Sequence, residues 1–193
     1  MDENKALWKK CVEFHGHECG GLTIGYKASL YAIALLGLGL GGGGNAGCLS
    51  ADEEVVCISE NDACGVDAIQ VILGCSIGKG NLLFHMRGKQ AFTFFDRKSG
   101  KSLRLVLKPK PEGMTRQESF AYYQSCAPKD MFQVTEAKIQ LPEKRGSLIP
   151  MSATAAAKAP EPIGSGWPVK KSSAWIATRP ITVLMYNRVR GSA

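Results

Sequence analysis

Residues 14–21 read FHGHECGG and hold three side chains that can bind a metal or take part in catalysis: His15, His17 and Cys19. Imidazole nitrogen and thiolate sulfur are donors that zinc and other late transition metals prefer. Because His15 and His17 are two residues apart in a turn, their rings can point to the same side, and Cys19 continues this alternation. Three donors within five residues therefore predict a metal or catalytic site rather than part of a hydrophobic core.

Cys64 lies in a second turn, NDACGVD at residues 61–67, directly before a predicted helix. It is the candidate fourth ligand: a fourth thiolate makes a closed structural site, whereas a water in that position makes an open catalytic one. The dipole and free N–H groups at the helix start are expected to lower the pKa of the Cys64 thiol, so a reactive thiolate is an alternative to a ligand. Asp62 is a candidate helix cap, and Asp67 in the first turn partly opposes this activation.

A third cysteine turn, GCSIGKGN at residues 74–81, contains Cys75 and Lys79. Lys79 can offer a positive charge to an anionic substrate, although a solvated lysine is about as common. Two other cysteines fit less specialised roles. Cys11, on a helix face, and Cys57, inside an apolar strand, are expected to be buried as small hydrophobic residues.

The elements that carry these turns are predicted from hydrophobic spacing and turn residues. Gly16, Gly20 and Gly21 are expected to end the first helix and to leave the His-Gly-His-x-Cys segment as a turn. Helices come first and neighbouring strands follow, which predicts an α+β fold with N-terminal helices packed on a mainly antiparallel sheet. The predicted helices are 3–14, 22–36, 66–73 and 115–124, and the predicted strands are 53–60, 82–87, 90–96, 102–107 and the segment MFQVTEAKIQLP at 131–142.

The composition indicates a globular protein, since 45% of the 193 residues are hydrophobic and 21% are charged. Residues 1–145 are predicted to form the α+β core domain. Residues 146–193 mix Ala, Ser, Pro and Lys without apolar periodicity, which predicts a disordered or loosely docked tail. The net charge of +7 is dispersed along the chain, and this favours a solvated surface over nucleic-acid binding.

Seven cysteines without a secretory signal favour a reducing compartment over a disulfide framework. Residues 28–51 carry no charge and are numerous enough to span a bilayer. Their second half, GLGLGGGGNAGCLSA, is too rich in glycine for a continuous spanning helix. We therefore predict a cytoplasmic protein without membrane contact.

Three motifs together, FHGHECGGL, ENDACGVDAIQVILGCSIGKGNL and GKQAFTFF, resemble the core domain of the FmdE family, the E subunits of formylmethanofuran dehydrogenase, in the same order over about residues 5–140. The resemblance implies a dimeric α+β domain in which the HGHEC turn and a later cysteine turn line a shared cavity. The site residues that it implies are His15, His17, Cys19, Cys64, Asp67, Cys75 and Lys79.

The chain departs from the family pattern at two places. Gly20 stands where the family usually has a proline after the motif cysteine, so a looser turn is expected. Many members also carry a C-terminal zinc finger with cysteine pairs, but no cysteine follows Cys126 here, so the tail is not such a finger. The family is linked to molybdenum and tungsten enzymes of one-carbon metabolism, which implies association with an oxidoreductase complex of that kind.

The leading hypothesis is a dimeric, metal-binding accessory protein of a redox system. Zinc, or another transition metal such as iron or nickel, is expected to be held by His17, Cys19 and Cys64. His15 is then a further ligand or a group that orients one.

Three alternatives remain open from the sequence. The chain can be an enzyme for a small anionic substrate, with His15, Cys64, Asp67 and Lys79 in catalytic roles. It can perform thiol redox chemistry through Cys19 with Cys64 or Cys75. It can also be a purely interacting protein whose motifs only build turns.

Overall fold

The computed structural model describes residues 3–38 and 50–144. Five helices and five strands are formed within these ranges. The helices are α1 (Glu3–His15), α2 (Gly20–Leu36), α3 (Gly65–Leu73), α4 (Arg116–Ser125) and α5 (Pro128–Met131), and the strands are β1 (Val55–Ser59), β2 (Leu82–Phe84), β3 (Ala91–Asp96), β4 (Ser102–Leu107) and β5 (Phe132–Thr135).

The five strands form one mixed sheet in the order β2-β1-β3-β4-β5. β1 and β2 are parallel and are joined through α3, with Cys57 beside Leu82. The other neighbours are antiparallel, and a tight turn joins β3 to β4, closed by Gly100 in a left-handed conformation (φ 72°). The predicted α+β class, with helices on a mainly antiparallel sheet, is confirmed.

The main hydrophobic core lies between the helices and one face of the sheet. Alternation along β3 explains this, because Phe92 and Phe94 point into the main core while Phe95 belongs to a smaller cluster with Val56 and Ile58. Cys11 and Cys57 are fully buried, as predicted. Burial raises the pKa of the Cys11 thiol to about 12, which suits a structural cysteine.

α2 and α3 touch backbone to backbone through two glycines. A Cβ atom placed on Gly25 would lie 1.9 Å from the carbonyl oxygen of Gly65, the first residue of α3. No side chain fits there, so the N-terminal end of α3 is pressed directly against the first half of α2. This contact brings the turn before α3 close to the turn before α2.

Most predicted elements are found within a few residues, but the last strand, predicted over 131–142, comprises only Phe132–Thr135. Three further details are corrected. Gly20 and Gly21 are not part of the turn but are the first two residues of α2. Cys19 caps this helix and accepts a hydrogen bond at Sγ from the Leu22 N–H group. The strand predicted at 82–87 ends at Phe84, and the short helix α5, which was not predicted, precedes β5.

Two predictions concern residues that the structure does not describe. The predicted tail at 146–193 and most of the glycine-rich connection lie outside the described ranges, so the division at residue 145 stays a prediction. Within residues 3–38 and 50–144, no helix has the length and apolar character needed to cross a membrane.

Candidate functional site

His15, His17 and Cys19 converge where α1 ends and α2 begins. His15 is the last residue of α1, His17 lies in the connecting turn, and Cys19 is the cap of α2. One ligand atom from each lies within 4.8 Å of the other two. The Nε2 atom of His15 is 3.7 Å from the Cys19 sulfur, and the centroids of the two imidazole rings are 4.5 Å apart. The turn therefore gathers three donors on one side.

Asp67, in the first turn of α3, orients the imidazole of His15. Its Oδ2 atom lies 2.7 Å from Nδ1 of His15, and its Oδ1 atom accepts a hydrogen bond of 3.2 Å from the Gln70 amide. Because Nδ1 is engaged by the carboxylate, Nε2 is the atom turned toward Cys19. A carboxylate that fixes a histidine in this way is a common feature of metal sites.

The sulfur of Cys19 lies at the positive end of α2, a helix of 17 residues. The Leu22 N–H group donates to the sulfur over 3.3 Å, while the Cys19 carbonyl accepts from the backbone N–H and the side-chain hydroxyl of Thr23. The sulfur therefore takes the place of a capping side-chain oxygen, beside the free N–H groups of the first helical turn. At this position it lies next to the two histidines and outside the helical backbone.

Cys64 approaches the same group of donors from α3. A Cβ atom on Gly21 would lie 3.0 Å from Cys64 Cβ and 3.9 Å from the Cys19 sulfur, so the glycine leaves the space through which the two cysteines meet. The Cys64 thiol lies close enough to Cys19 for the two groups to interact electrostatically. The sequence motif and the contact between α2 and α3 therefore bring Cys64 to His15, His17 and Cys19.

The prediction that the Cys64 pKa is lowered is wrong. Its pKa is raised because the thiol is partly buried, because it is hydrogen-bonded to and close to Cys19, and because the Asp67 carboxylate is near. Asp62 is also not the cap of α3: Cys64 itself occupies that position without a side-chain hydrogen bond, and the Asn61 side chain accepts from the Ala63 N–H group instead.

Two clefts meet at Cys64. The first, the α4 cleft, has a volume of about 440 Å³, and the second has a volume of about 390 Å³. The α4 cleft is lined by His17, Cys19, Gly20, Gly21, Ile24, Cys64, Lys110, Met114, Arg116, Ser119, Phe120 and Tyr123. His15 and Asp67 line the second cleft together with apolar residues that include Ile77 and Phe84.

The donor set fits a tetrahedral transition metal. With bonds of about 2.3 Å to sulfur and about 2.0–2.1 Å to nitrogen, tetrahedral ligand atoms are separated by roughly 3.6 Å. The separation of 3.7 Å between His15 Nε2 and the Cys19 sulfur agrees with this value. A mixture of imidazole and thiolate also matches the preferences of zinc, iron and nickel. His15, His17 and Cys19 would hold such a metal, and Cys64 stands beside them.

Two residues singled out from the sequence lie at the other end of α3. The Lys79 ammonium group donates to the Ser50 carbonyl over 2.6 Å, and the Cys75 thiol is fully buried and donates to the Val55 carbonyl over 3.4 Å. Neither residue lines either of the two clefts. The structure thus brings His15, His17, Cys19, Cys64 and Asp67 together and leaves Cys75 and Lys79 apart from them.

Sequence reasoning missed the part of the α4 cleft that comes from the second half of the domain. Lys110, Arg116, Phe120 and Tyr123 line it, and α4 carries three of these four residues. The capping box at Thr115 correctly predicted where α4 begins. Nothing in the local sequence indicated that this helix packs across from the HGHEC turn.

The family model described as "FmdE, Molybdenum formylmethanofuran dehydrogenase operon" matches residues 14–145, which is more than half of the chain. The chain belongs to the FmdE family. The resemblance seen in the three sequence motifs is thereby confirmed.

Two similar proteins add to this picture. A "Probable S-adenosyl-L-methionine-binding protein" of Archaeoglobus fulgidus is 33% identical over 101 residues, which are 52% of the FmdE chain but only 26% of that relative. The chain thus spans about a quarter of its length. A crystal structure of a tungsten formylmethanofuran dehydrogenase FmdE-like protein from Syntrophus aciditrophicus shares the fold, with a TM-score of 0.52 and 22% identity over 71% of this chain and 73% of that one.

Proposed function

We propose that this FmdE protein is a metal-binding accessory protein of a molybdenum- or tungsten-dependent oxidoreductase of one-carbon metabolism. His17 and Cys19 are the central ligands, Cys64 and His15 complete the set, and zinc is the first candidate metal, with iron and nickel as alternatives. The family's association with formylmethanofuran dehydrogenase supports the choice of partner. We further propose that the protein acts in the cytoplasm as a homodimer.

One observation carries the proposal: Asp67, His15 and Cys19 form a continuous chain of contacts, with distances of 2.7 Å and 3.7 Å. A carboxylate that holds Nδ1 of a histidine leaves Nε2 free to donate its electron pair to a metal. His17 adds a second imidazole within 4.8 Å. A partly buried histidine that served packing alone would not need a second histidine and the capping cysteine of α2 at such distances.

Each residue has a separate role in this proposal. Asp67 fixes the ring of His15, and Gln70 in turn fixes Asp67. The N-terminus of α2 stabilises negative charge on Cys19. A bound metal would supply a Lewis-acidic centre, and it would also favour loss of the Cys64 proton, because metals bind cysteine as the thiolate.

Metal analysis of the protein purified without added metal tests the proposal. We expect about one equivalent of metal by inductively coupled plasma mass spectrometry, and loss of that metal in the His17→Ala and Cys19→Ala variants. Asp67→Asn should weaken metal affinity by about 10–100-fold, because the asparagine side chain no longer holds His15 with a charged oxygen.

Cys75→Ala is the matched control, since it removes a thiol that lies apart from the two clefts. It should leave the metal content unchanged. Stoichiometric metal in a variant that lacks both His17 and Cys19 would overturn the proposal.

The α4 cleft favours a second candidate function, that of a stand-alone metal- or thiol-dependent enzyme acting on a small anionic substrate. His17, Cys19 and Cys64 all line this space of about 440 Å³, so a small molecule can reach them. An exchangeable water on the metal, detected by water-proton relaxation of the cobalt-substituted protein, supports this function. Four protein ligands and no exchangeable water argue for the accessory role.

A further inference from the structure

α4 presents one face to the α4 cleft. Arg116, Ser119, Phe120 and Tyr123 all line it, and their spacing of three, four and seven residues places them along one side of the helix. Tyr123 lies next to the HGHEC turn, because a Cβ atom on Gly20 would be 3.4 Å from its ring. A rise of 1.5 Å per residue puts Arg116 about 10 Å further along the helix axis. The face thus runs from the sulfur and imidazole donors to a cation.

A second cation, Lys110, joins Arg116 in the lining. Lys110 donates to the hydroxyl of Ser119, which holds its ammonium group against the cleft side of α4. Glu118 interacts electrostatically with Lys110, but the two side chains do not form an ion pair. One oxygen of Glu118, Oε2, instead accepts bonds of 2.8 Å from both the N–H and the hydroxyl of Thr115.

Lys110 and Arg116 differ from the two arginines of the domain that form ion pairs. Arg97 and Arg104 form ion pairs with Glu53 and Glu60. In the ranges 3–38 and 50–144, by contrast, none of the ion pairs includes Lys110 or Arg116. The cleft lining contains both cations and no carboxylate, so the cleft itself is positively charged, with Glu118 nearby outside the lining.

The remaining lining is suited to an apolar molecule. Ile24 from α2, Met114 from the segment before α4, and the ring of Phe120 line the same space. Binding sites for small molecules typically combine such apolar walls with a few polar groups that fix orientation. A volume of about 440 Å³ falls within the ordinary range for a small organic ligand.

We propose that the α4 cleft binds a small organic oxyanion, with its carboxylate or phosphate held by Lys110 and Arg116. Its apolar body lies against Ile24, Met114 and Phe120, and its far end reaches His17 and Cys19. Arginine and lysine together suit an oxyanion, since the guanidinium group forms two parallel hydrogen bonds and the ammonium group adds charge. The inference rests on the proposed function in one respect only, namely that the far end of the ligand would contact the metal held by His17 and Cys19.

Three probes of the same shape test the proposal: 3-phenylpropanoate, 2-phenylethyl phosphate and the neutral 3-phenylpropanamide. Each is titrated by isothermal calorimetry against the full chain, both metal-free and zinc-loaded. We expect at least one of the two anions to bind about tenfold more tightly than the amide, which is the size of one charge-assisted hydrogen bond. The anion that binds more tightly identifies the preferred oxyanion.

The preference should disappear in the Lys110→Met/Arg116→Met double variant and persist in Lys110→Arg, which keeps the charge. Lys98→Met is the matched control: it removes a lysine from the turn between β3 and β4, away from the cleft lining, and should leave the preference unchanged. Circular dichroism confirms that each variant is folded.

Two results would overturn the inference: neither anion binds more tightly than the amide, or the preference survives in the double variant. Zinc content, measured on the same samples, separates this outcome from failure of the metal site. A preference that is present in protein unable to hold zinc leaves the inference standing and removes the metal site. Stoichiometric zinc without any preference for an anion overturns the inference and leaves the metal site standing.

Discussion

The two ends of α3 carry similar residues, but their side chains make different contacts. Before the helix stands Cys64 in a turn with Asp62 and Asn61, and after it stand Cys75, Lys79 and Asn81 in a turn rich in glycine. Both ends offer a thiol, polar side chains and flexible backbone. Residue type alone therefore does not distinguish the candidate site from ordinary structure.

The difference lies in what the side chains contact. After α3, the polar groups are engaged by backbone: Lys79 donates to Ser50, Cys75 donates to Val55, and the fully buried Asn81 amide donates to the carbonyls of Asp52 and Val55. These bonds anchor the chain where β1 begins.

Before α3, side chains contact other side chains. His15 is hydrogen-bonded to Asp67 and lies near Cys19, and Cys64 lies beside Cys19. These groups also line two clefts. Side chains that hold one another beside a cleft remain available for a ligand, whereas those engaged by backbone carbonyls do not.

The largest expected effect comes from Gly25→Ala, which attacks the contact that holds the site end of α3. The new Cβ atom would lie 1.9 Å from the Gly65 carbonyl oxygen, so the two helices must separate. Alanine favours the helix by about 1 kcal/mol, but we expect a net loss of about 4 kcal/mol in the free energy of unfolding, together with loss of metal binding. Urea denaturation measures the first effect and metal analysis the second.

Gly78→Ala is the control for this change at the other end of α3. A Cβ atom there meets nothing within 4 Å, so the free energy of unfolding should change by less than about 0.5 kcal/mol. If Gly25→Ala were as stable as Gly78→Ala, the backbone contact would not be what positions Cys64.

Asn81→Ala should have the next largest effect and should reveal the structural role of the second end. It removes the bonds to Asp52 and Val55 and the one that the Ser76 N–H group donates, and it leaves a cavity in place of a fully buried amide. We expect a loss of about 3 kcal/mol in the free energy of unfolding, with metal content at low temperature unchanged. His17→Ala should show the reverse pattern: the free energy of unfolding of the metal-free protein should hardly change, while the metal content should fall. Equal effects of the two variants on metal content would remove the contrast between the two ends of α3.

The smallest expected effect is a pH dependence at Glu54, beside the second end. Burial raises the pKa of this carboxyl. Hydrogen bonds from backbone N–H groups and the Ser50 hydroxyl, together with the charge of Lys79, lower the pKa by more than burial raises it, so the net pKa is below its ordinary value. A carboxyl whose pKa is lower in the folded state stabilises the protein above its unfolded pKa, about 4.3, and this contribution is lost as the pH falls through the folded pKa.

The melting temperature of the unmodified chain should therefore fall more between pH 6 and pH 3 than that of Glu54→Gln. Glu112→Gln, at an exposed glutamate after β4, serves as the matched control and should follow the unmodified chain. Parallel curves for Glu54→Gln and the unmodified chain would show that the hydrogen bonds to Glu54 contribute nothing measurable to stability.

Local patterns were sufficient to predict most of the fold. Aromatic residues marked β3 (AFTFFD), alternating apolar and polar residues marked β4 (SLRLVL), and the capping box at Thr115 marked the start of α4. The glycine pair after Cys19 was misjudged, because glycine usually interrupts a helix. Here the cap formed by Cys19 and the need for close packing at Gly21 outweigh the poor helix propensity.

The candidate site was predictable only as far as its donors lie close together in the chain. His15, His17 and Cys19 occupy five residues, so their proximity follows from local geometry. The pairing of His15 with Asp67 joins residues 52 positions apart and depends on how α1, α2 and α3 pack. The pKa of Cys64 was predicted in the wrong direction because the helix dipole is local, whereas the burial and the Cys19 thiol that outweigh it arise from packing.

The short link between the sheet and Cys64 has a consequence for metal selectivity. Glu60 is hydrogen-bonded to Arg104 of β4, and the Asn61 amide is hydrogen-bonded to the Lys89 carbonyl just before β3, so Cys64 lies only three residues after a segment that is held at the sheet. His17, in contrast, is exposed in the turn after Gly16. In the proposed metal site, we expect the turn that carries His17 to move when one metal ion is replaced by another of different radius. The sulfur of Cys64 should stay in place, so an ion below a certain radius would be too small to contact all the ligands at once.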